Sequence, residues 1–267
     1  MIGQTDFTEA AARSVDLNCD CGEGFGPYAI GDDAAMLDIV TSASVACGFH
    51  AGDPNVMAAT FEAARAKGVA IGAHPGYPDL AGFGRRALAF SLAEIERLIA
   101  YQIGAAQGVA ALSGCRLSYV KVHGALSNLA ASDAAVAQAI VRAVKSVDAR
   151  LAFLAIAGTH LETAGLAGSL NVAREVYADR AYTDAGLLAP RSAPGAVLHD
   201  TEAIADRALA MVEAGAIIAQ SGKRIAVGVD SICVHGDHPN AVAMARAVRA
   251  GLAGAGVTLA PFARARA

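Results

Sequence analysis

Four histidines occupy positions suited to chemistry, because each comes at the end of a short, mostly apolar run. They are His50, His74, His123 and His235. If those runs are parallel strands of a barrel, their carboxyl ends meet at one rim, and we expect at least two of the histidines to share a pocket there. Imidazoles exchange protons near neutral pH. We therefore predict His74 and His123 as proton-transfer groups and His50 and His235 as substrate contacts.

A polar face precedes the first of these histidines, on the run of residues 14–18 and just beyond it. Asp16, Asn18 and Asp20 alternate with other residues, so they share one side of an extended segment. Burying such groups is costly unless they bind something, and a helix cap would account for one of them but not for three. We predict that Asp20 acts in proton transfer and that Asp16 and Asn18 contact substrate.

A lysine lies on the strand that ends at His123. Lys121 is two residues before that histidine, so both side chains should point to the same side of the strand. Its ammonium group could hold an anionic substrate. The structural alternative is an ion pair with Asp16 or Asp20 inside the barrel.

Two arginine-containing segments are candidates for gripping a carboxylate or phosphate, because guanidinium groups bind such oxygens bidentately. Arg85 and Arg86 end a loop over residues 75–86 that is rich in glycine and proline, a composition typical of a lid over a site. Asp179 and Arg180 follow a predicted strand. We predict substrate contacts from all four, with surface arginines as the alternative.

Cofactor motifs are absent from the sequence. Asp20, His74 and His123 have the donor atoms for a divalent metal, but their spacing is not diagnostic, and neither H-E-x-x-H nor C-x-x-C occurs. We therefore predict no metal and keep that trio as the set if one binds. No phosphate-binding glycine motif follows a strand, so the residues alone do not indicate nucleotide binding.

Strands and helices must alternate along the chain to bring these residues together. A length of 267 residues suits one β/α barrel of about 250 residues. We predict a single domain, a TIM-like barrel of seven strands, with residues 1–13 as an extension and 264–267 as a frayed tail. The predicted strands cover residues 14–18, 44–49, 69–74, 117–124, 151–157, 171–176 and 231–234. The predicted helices cover residues 32–40, 54–67, 92–107, 128–144 and 201–219, with a last helix opened by Pro239.

Composition limits the classes of molecule that this protein is expected to bind. The net charge of −4 gives no basic stripe for nucleic acid or anionic lipid. The longest apolar run, residues 151–157, is far shorter than the roughly 20 residues that span a bilayer. The start of the chain lacks the features of a secretory signal, so we expect a cytoplasmic protein. Five cysteines without C-x-x-C spacing are expected to be free thiols.

Several segments together resemble the LamB/YcsF family, and the resemblance extends over residues 16–259. They are DLNCDCGEGFGPY, SVACGFHAGDP, GVAIGAHPGYPDLAGFGRR, VKVHGAL, YADRAY, PRSAPGAVLHD and ICVHGDHP. The resemblance implies a barrel of the glycoside hydrolase/deacetylase type. Two positions differ from the family pattern: Val122 stands where proline is usual, and Ser127 stands where tyrosine is usual. If that tyrosine contacts substrate in relatives, Ser127 is too short to replace it.

The resemblance also implies an activity, namely ATP-dependent opening of the 5-oxoproline lactam to glutamate by a 5-oxoprolinase in which this chain is the A subunit. ATP and two partner subunits are implied in the same way, and a homo-oligomer is also compatible. If the lactam carbonyl is phosphorylated, opening the ring requires a base for the attacking water, a proton donor for the leaving nitrogen and a cation for the carboxylate. Two alternatives remain: a metal-dependent deacetylase or amidohydrolase by fold analogy, and a non-catalytic binding or regulatory subunit.

Overall fold

The computed structural model describes residues 13–237 and 240–263. The strands of this part of the chain are β1 (Ser14–Cys21), β2 (Ser42–Ala46), β3 (Ala70–His74), β4 (Tyr119–Lys121), β5 (Ala152–Ile156), β6 (Val172–Tyr177), β7 (Ala216–Ile218), β8 (Arg224–Ala226), β9 (Ser231–Val234) and β10 (Thr258–Leu259). The α-helices are α1 (Asp33–Leu37), α2 (Pro54–Ala66), α3 (Leu92–Leu112), α4 (Gly124–Ser132), α5 (Ala134–Asp148), α6 (His160–Ala167), α7 (Thr201–Ala214) and α8 (Ala241–Gly254).

Seven parallel strands form a closed barrel in the order β1, β2, β3, β4, β5, β6 and β9, and β9 returns to pair with β1. Asn18 on β1 marks the closure, because it is in register with Ser42 of β2 on one side and Cys233 of β9 on the other. β10 extends the start of β1, and β7 and β8 form a separate antiparallel hairpin. The predicted seven-stranded β/α barrel is confirmed.

Alternation along β1 separates an apolar layer from a polar barrel interior. Leu17 and Cys19 are fully buried in the hydrophobic core. Asp16, Asn18 and Asp20, the residues between and beside them, are also buried and contact side chains of other barrel strands. The side of β1 that faces the barrel interior is therefore polar, as the period of two predicts.

Local capping signals set the start of two helices as predicted. The Asp53 side chain accepts hydrogen bonds from the backbone N–H groups of Asn55 and Val56 at the start of α2. Ser91 and Glu94 form a capping box at the start of α3. Such reciprocal bonds satisfy backbone donors that have no partner within the helix.

Two predicted helices are wrong in extent. The helix predicted over residues 128–144 is two helices, because Asp133 caps the start of α5 and separates it from α4, which already begins at Gly124. The helix predicted over residues 201–219 ends at Ala214, where Gly215 takes a left-handed conformation with φ of 56°. Residues 216–218 pair with β8 instead, because a left-handed terminus cannot continue an α-helix.

Smaller differences affect the entry to the site. The second strand ends at Ala46 and not at residue 49, so His50 lies in the loop beyond the strand. Helix α1 is only Asp33–Leu37. All five cysteines are free thiols, as predicted. Residues 1–12, Pro239 and residues 264–267 lie outside the described residues, and with them most of the predicted extension, the predicted helix opening and the tail.

Within the described ranges, no helix combines the length and the apolar character that crossing a membrane requires.

Candidate functional site

A cavity of about 400 Å³ opens at the carboxyl end of the barrel. Strands β3, β4 and β6 contribute the residues at their ends, and the loops that follow the strands complete the wall. The lining side chains are mostly polar or charged and include Asp20, His74, Arg85, Lys121, His123, Ser127, Tyr177, Arg180, Arg191 and His235. Because β/α barrels place their chemistry at this end, the cavity is the candidate active site.

Lys121 forms the floor of the cavity. Its Nζ lies 2.8 Å from Asp20 Oδ1 and 2.9 Å from Glu175 Oε1, and it donates a further hydrogen bond to Asn18 Oδ1 at 3.1 Å. All four side chains are buried. The ammonium group therefore balances two carboxylates that would otherwise be buried and unpaired.

Opposite charges keep both Asp20 and Lys121 ionised. Burial raises the pKa of Asp20, but His74 and Lys121 lower it further, so its pKa is well below the ordinary value. Burial lowers the pKa of Lys121, but nearby anions, Asp20 foremost, raise it well above the ordinary value. At neutral pH, Asp20 thus presents a carboxylate to the cavity, which is the form a general base requires.

His74 and His123 meet beside Asp20. His74 Nε2 lies 3.3 Å from Asp20 Oδ2 and 3.0 Å from His123 Nδ1. The other ring nitrogens face backbone oxygens, His74 Nδ1 at 2.9 Å from the carbonyl of Lys121 and His123 Nε2 at 2.8 Å from that of Phe83. Carbonyl oxygens only accept, so these outer nitrogens carry the protons. In the neutral rings, the facing nitrogens therefore both present lone pairs.

His50 and Glu23 lie behind this pair. The His50 ring stacks on His123 with centroids 3.7 Å apart, and His50 Nε2 is 3.9 Å from Glu23 Oε1. Neither His50 ring nitrogen nor Glu23 Oε1 has a hydrogen-bond partner among the described residues. Burial lowers the pKa of His50 well below its ordinary value and raises the pKa of Glu23 well above its own, so both groups are uncharged unless a cation binds.

The loop over residues 75–86 closes over these histidines. Gly84 has φ of 63°, and a Cβ atom there would lie only 2.7 Å from His50 Cβ and 2.8 Å from His123 Cδ2. A side chain at this position would be both strained and in collision with the ring pair. The absence of a side chain at Gly84 therefore allows the loop to pack on His50 and His123.

His235 and Asp179 form a second polar pair on the opposite wall. His235 Nδ1 lies 2.7 Å from Asp179 Oδ2, and its Nε2 lies 3.5 Å from Arg191 Nη2. Although burial raises the pKa of Asp179, His235 lowers it below the ordinary value. The carboxylate fixes the orientation of the ring and directs Nε2 to the cavity side, where it can exchange a proton with a bound molecule.

Three guanidinium groups line the cavity above the floor. Arg85 pairs with Asp237 at 2.7 Å, and Arg180 donates to the backbone carbonyl of Ala189 at 2.6 Å. Arg191 belongs to the loop before α7. With Lys121 below them, these groups make the cavity attractive to anions.

Comparison with known proteins identifies the family of this chain. The LamB/YcsF family model matches residues 15–267. The chain belongs to the LamB/YcsF family. A relative from Gluconobacter oxydans (strain 621H), named as the A subunit of 5-oxoprolinase, is 58% identical over 93% of this chain and 98% of its own length. Another of that name, from Rhodopseudomonas palustris (strain BisA53), is 56% identical over 94% of this chain and 99% of its own.

A solved structure agrees with this LamB/YcsF assignment. The crystal structure of the lactam utilization protein from Thermus thermophilus superposes with a TM-score of 0.86 at 44% identity. It covers 92% of this chain and 99% of the Thermus chain. The two proteins therefore share their fold over nearly their whole length.

The LamB/YcsF barrel brings most of the sequence-predicted site residues together. The cavity is lined by Asp20, His74, Arg85, Lys121, His123, Arg180 and His235. Asn18, His50 and Asp179 lie just behind the wall, where they contact lining residues and are buried. Their predicted direct contact with substrate is replaced in the structure by contact with residues that line the cavity.

Two residues predicted to contact substrate lie away from this cavity. Asp16 lies four residues before Asp20 on β1, about 13 Å nearer the amino end of the barrel, where it accepts hydrogen bonds from Thr41, Ser42 and Ser231. Arg86 turns away from the cavity and pairs with Asp79, with 63% of its side chain exposed. Position along the strand and the turn after Gly84 separate these residues from the site.

Sequence reasoning missed several residues of the LamB/YcsF site. Glu175 and Tyr177 alternate on β6 and point inward, so the argument used for β1 would have found them. Arg191 lies in a loop with no periodic signal. Glu23 follows β1 by two residues, and its neighbourhood depends on the loop that carries His50. The two positions that differ from the family pattern, Val122 and Ser127, both line the cavity.

Proposed function

We propose that this chain is the A subunit of a 5-oxoprolinase and opens the lactam ring of 5-oxo-L-proline to give L-glutamate. The observation that carries the proposal is the 58% identity, over nearly the full length of both chains, to a protein named as the A subunit of 5-oxoprolinase. The Thermus relative, named for lactam utilization, supports the same class of substrate.

The cavity suits such a substrate in size and charge. 5-Oxoproline is a five-membered lactam with one carboxylate, which is small compared with a volume of about 400 Å³. We assign the carboxylate to Arg85, Arg180 or Arg191, because charge-assisted hydrogen bonds from guanidinium are strong and directional. The ring would then lie over Lys121, between Asp20 and His235.

Residues on opposite walls of the cavity are proposed to carry out different proton transfers. Asp20 is proposed to take the proton of the attacking water, because its carboxylate is ionised and faces the cavity. His74 Nε2 lies 3.3 Å from this carboxylate, and His123 Nδ1 contacts the same nitrogen of His74. His235, oriented by Asp179, is proposed to protonate the leaving nitrogen from its imidazolium form, in which Nδ1–H stays bound to Asp179 and Nε2–H is the proton transferred. Lys121 and the arginines would stabilise negative charge on the former carbonyl oxygen.

ATP consumption and two partner subunits belong to the proposal as well. Amide resonance makes a lactam unreactive towards water. Transfer of the terminal phosphoryl group of ATP to the lactam oxygen, with ADP leaving, would make the ring carbon reactive, and inorganic phosphate would leave as water adds and the ring opens. The word "subunit" in the names of the relatives supports a multi-subunit enzyme. The chain has no phosphate-binding glycine motif, so we assign nucleotide binding to the assembled enzyme without naming the component that holds it.

The test is a reconstitution. The purified chain, alone and with its two proposed partners, is given 5-oxoproline and ATP while glutamate and ADP are measured. We expect both products only from the full assembly, and their loss with Asp20→Asn. Binding of 5-oxoproline without turnover in the full assembly would instead indicate a non-catalytic binding subunit, and release of acetate from acetylated sugars would indicate a deacetylase.

A further inference from the structure

We propose that Glu23, His50, His74 and His123 form a binding site for one divalent transition-metal ion, such as Zn²⁺ or Co²⁺, directly behind the cavity floor. Each residue has a donor atom within 4.8 Å of the donor atoms of the other three, and all four residues are buried. The proposal concerns metal binding alone and stands whether or not the chain opens a lactam.

The protons on His74 and His123 are the first argument. Both rings give their outer N–H groups to backbone carbonyls, so in the neutral rings two lone pairs, on His74 Nε2 and His123 Nδ1, face each other across 3.0 Å, and His74 Nε2 also lies 3.3 Å from Asp20 Oδ2. Two lone pairs at this distance repel unless a positive centre lies between or beside them. Backbone carbonyls that hold the far nitrogen of a ring are also the usual outer contacts of histidine ligands.

The unpaired atoms are the second argument, and they distinguish a metal from a shared proton. A proton between His74 and His123 would satisfy those two rings only. It would leave both His50 nitrogens and Glu23 Oε1 buried without partners, and a buried polar atom without a partner destabilises the folded protein. A metal ion bound to one His50 nitrogen and to Glu23 Oε1 gives both of these atoms a partner and removes the lone-pair repulsion.

The donor set fits the chemistry of such an ion. Three imidazoles and one carboxylate suit zinc and its neighbours, and they suit Mg²⁺ or Ca²⁺ poorly. Donors of a tetrahedral zinc ion, bound at about 2.1 Å, are about 3.4 Å apart. Donor atoms already within 4.8 Å of one another reach that spacing by small side-chain shifts, including a tilt of His50 away from its stack on His123.

A second set of donors provides a competing site. Asp20, Cys233 and His235 also converge, but Asp20 pairs with Lys121 and His235 pairs with Asp179. Those partners already satisfy the oxygen and nitrogen donors, so this set lacks the unpaired atoms that favour the first. A metal there would also be bound by a thiolate, which changes its absorption spectrum.

The experiment uses full-length protein without a histidine tag, stripped of metal by a chelator and titrated with Co²⁺. We expect one Co²⁺ per chain by dialysis and elemental analysis. We also expect the visible bands of a four-coordinate ion with no thiolate charge-transfer band, and a raised melting temperature. Because outer-shell changes cost 10–100-fold in metal affinity, losing a ligand in His50→Gln or Glu23→Gln should weaken Co²⁺ binding by at least about 100-fold.

His235→Gln is the matched control, since it removes a buried histidine of the same cavity outside the proposed set, and it should bind Co²⁺ like the wild type. Circular dichroism checks that each variant is folded. If His50→Gln does not fold, the Co²⁺ affinity of the near-isosteric Glu23→Gln tests the proposal. The proposal is overturned if folded wild type binds no stoichiometric Co²⁺. It is also overturned by a thiolate band, by loss of binding in His235→Gln, or by full affinity in both ligand variants.

Discussion

His235 Nδ1 lies 2.7 Å from Asp179 Oδ2 and 2.9 Å from Asp179 Oδ1, in a buried pair on the cavity wall. Because a carboxylate only accepts hydrogen bonds, Nδ1 carries the proton and Nε2 is the nitrogen left for chemistry. The pair thus sets the tautomer of the histidine that we propose as the proton donor.

Asp179→Asn should lower kcat for glutamate formation by a factor on the order of 10² to 10⁴, with a small change in KM, because an amide supports the wrong tautomer. The measurement is steady-state kinetics of the assembled enzyme. Asp148→Asn is the control, since Asp148 pairs with Arg150 far from the cavity and should leave kcat unchanged. Unchanged kcat in Asp179→Asn would remove His235 from the mechanism.

The adjacent arginines Arg85 and Arg86 should differ sharply in their effect on substrate binding. Arg85→Met removes a cavity guanidinium and should raise KM for 5-oxoproline about 10- to 100-fold, the value of a charge-assisted hydrogen bond. Arg86→Met should leave KM within about twofold, because its guanidinium pairs with Asp79 outside the cavity. Equal effects of the two variants would exclude Arg85 as the group that binds the substrate carboxylate and leave Arg180 and Arg191.

Lys121→Met should destabilise the fold by about 3–5 kcal/mol, because Asp20 and Glu175 would be left as buried, unpaired carboxylates. Denaturant unfolding measures the change in the free energy of unfolding. Lys67→Met is the matched control: Lys67 pairs with the largely exposed Asp38, and its loss should cost no more than about 1 kcal/mol. A small cost for Lys121→Met would mean that the buried carboxylates are neutral in the folded protein.

Asp16→Asn should make folding stability less dependent on acid pH. Burial raises the pKa of Asp16 from 3.8 to about 6 in the folded protein, so the folded state holds this proton more tightly than the unfolded chain. The associated stability is present below pH 3.8 and is lost as the pH rises through about 6. That difference in pKa corresponds to about 3 kcal/mol.

Unfolding of the wild type and of Asp16→Asn should therefore be compared at several pH values from 4 to 7, a range of about three pH units around the folded pKa. We expect the stability of the variant relative to the wild type to rise from pH 4 to about pH 6 and to level off above that value. A constant difference would show that Asp16 is already ionised in the folded protein at the acid end.

The sequence by itself determined the local features of this protein. Apolar runs ending in histidine indicated the barrel strands, and the period of two placed Asp16, Asn18 and Asp20 on one inner face. The helix starts predicted at residues 54 and 92 are those of α2 and α3. These signals depend on a few consecutive residues, so they can be interpreted before the chain has a shape.

Tertiary structure alone decided which of these residues meet. Asp16 and Asp20 share a face but lie at different depths of the barrel, and Arg85 and Arg86 point to different surroundings although they are adjacent. Glu23 comes within reach of His50 only because barrel closure and strand register bring the loops after β1 and β2 to one rim. Distances of this kind depend on how the seven strands close, and no short segment of the chain carries that information.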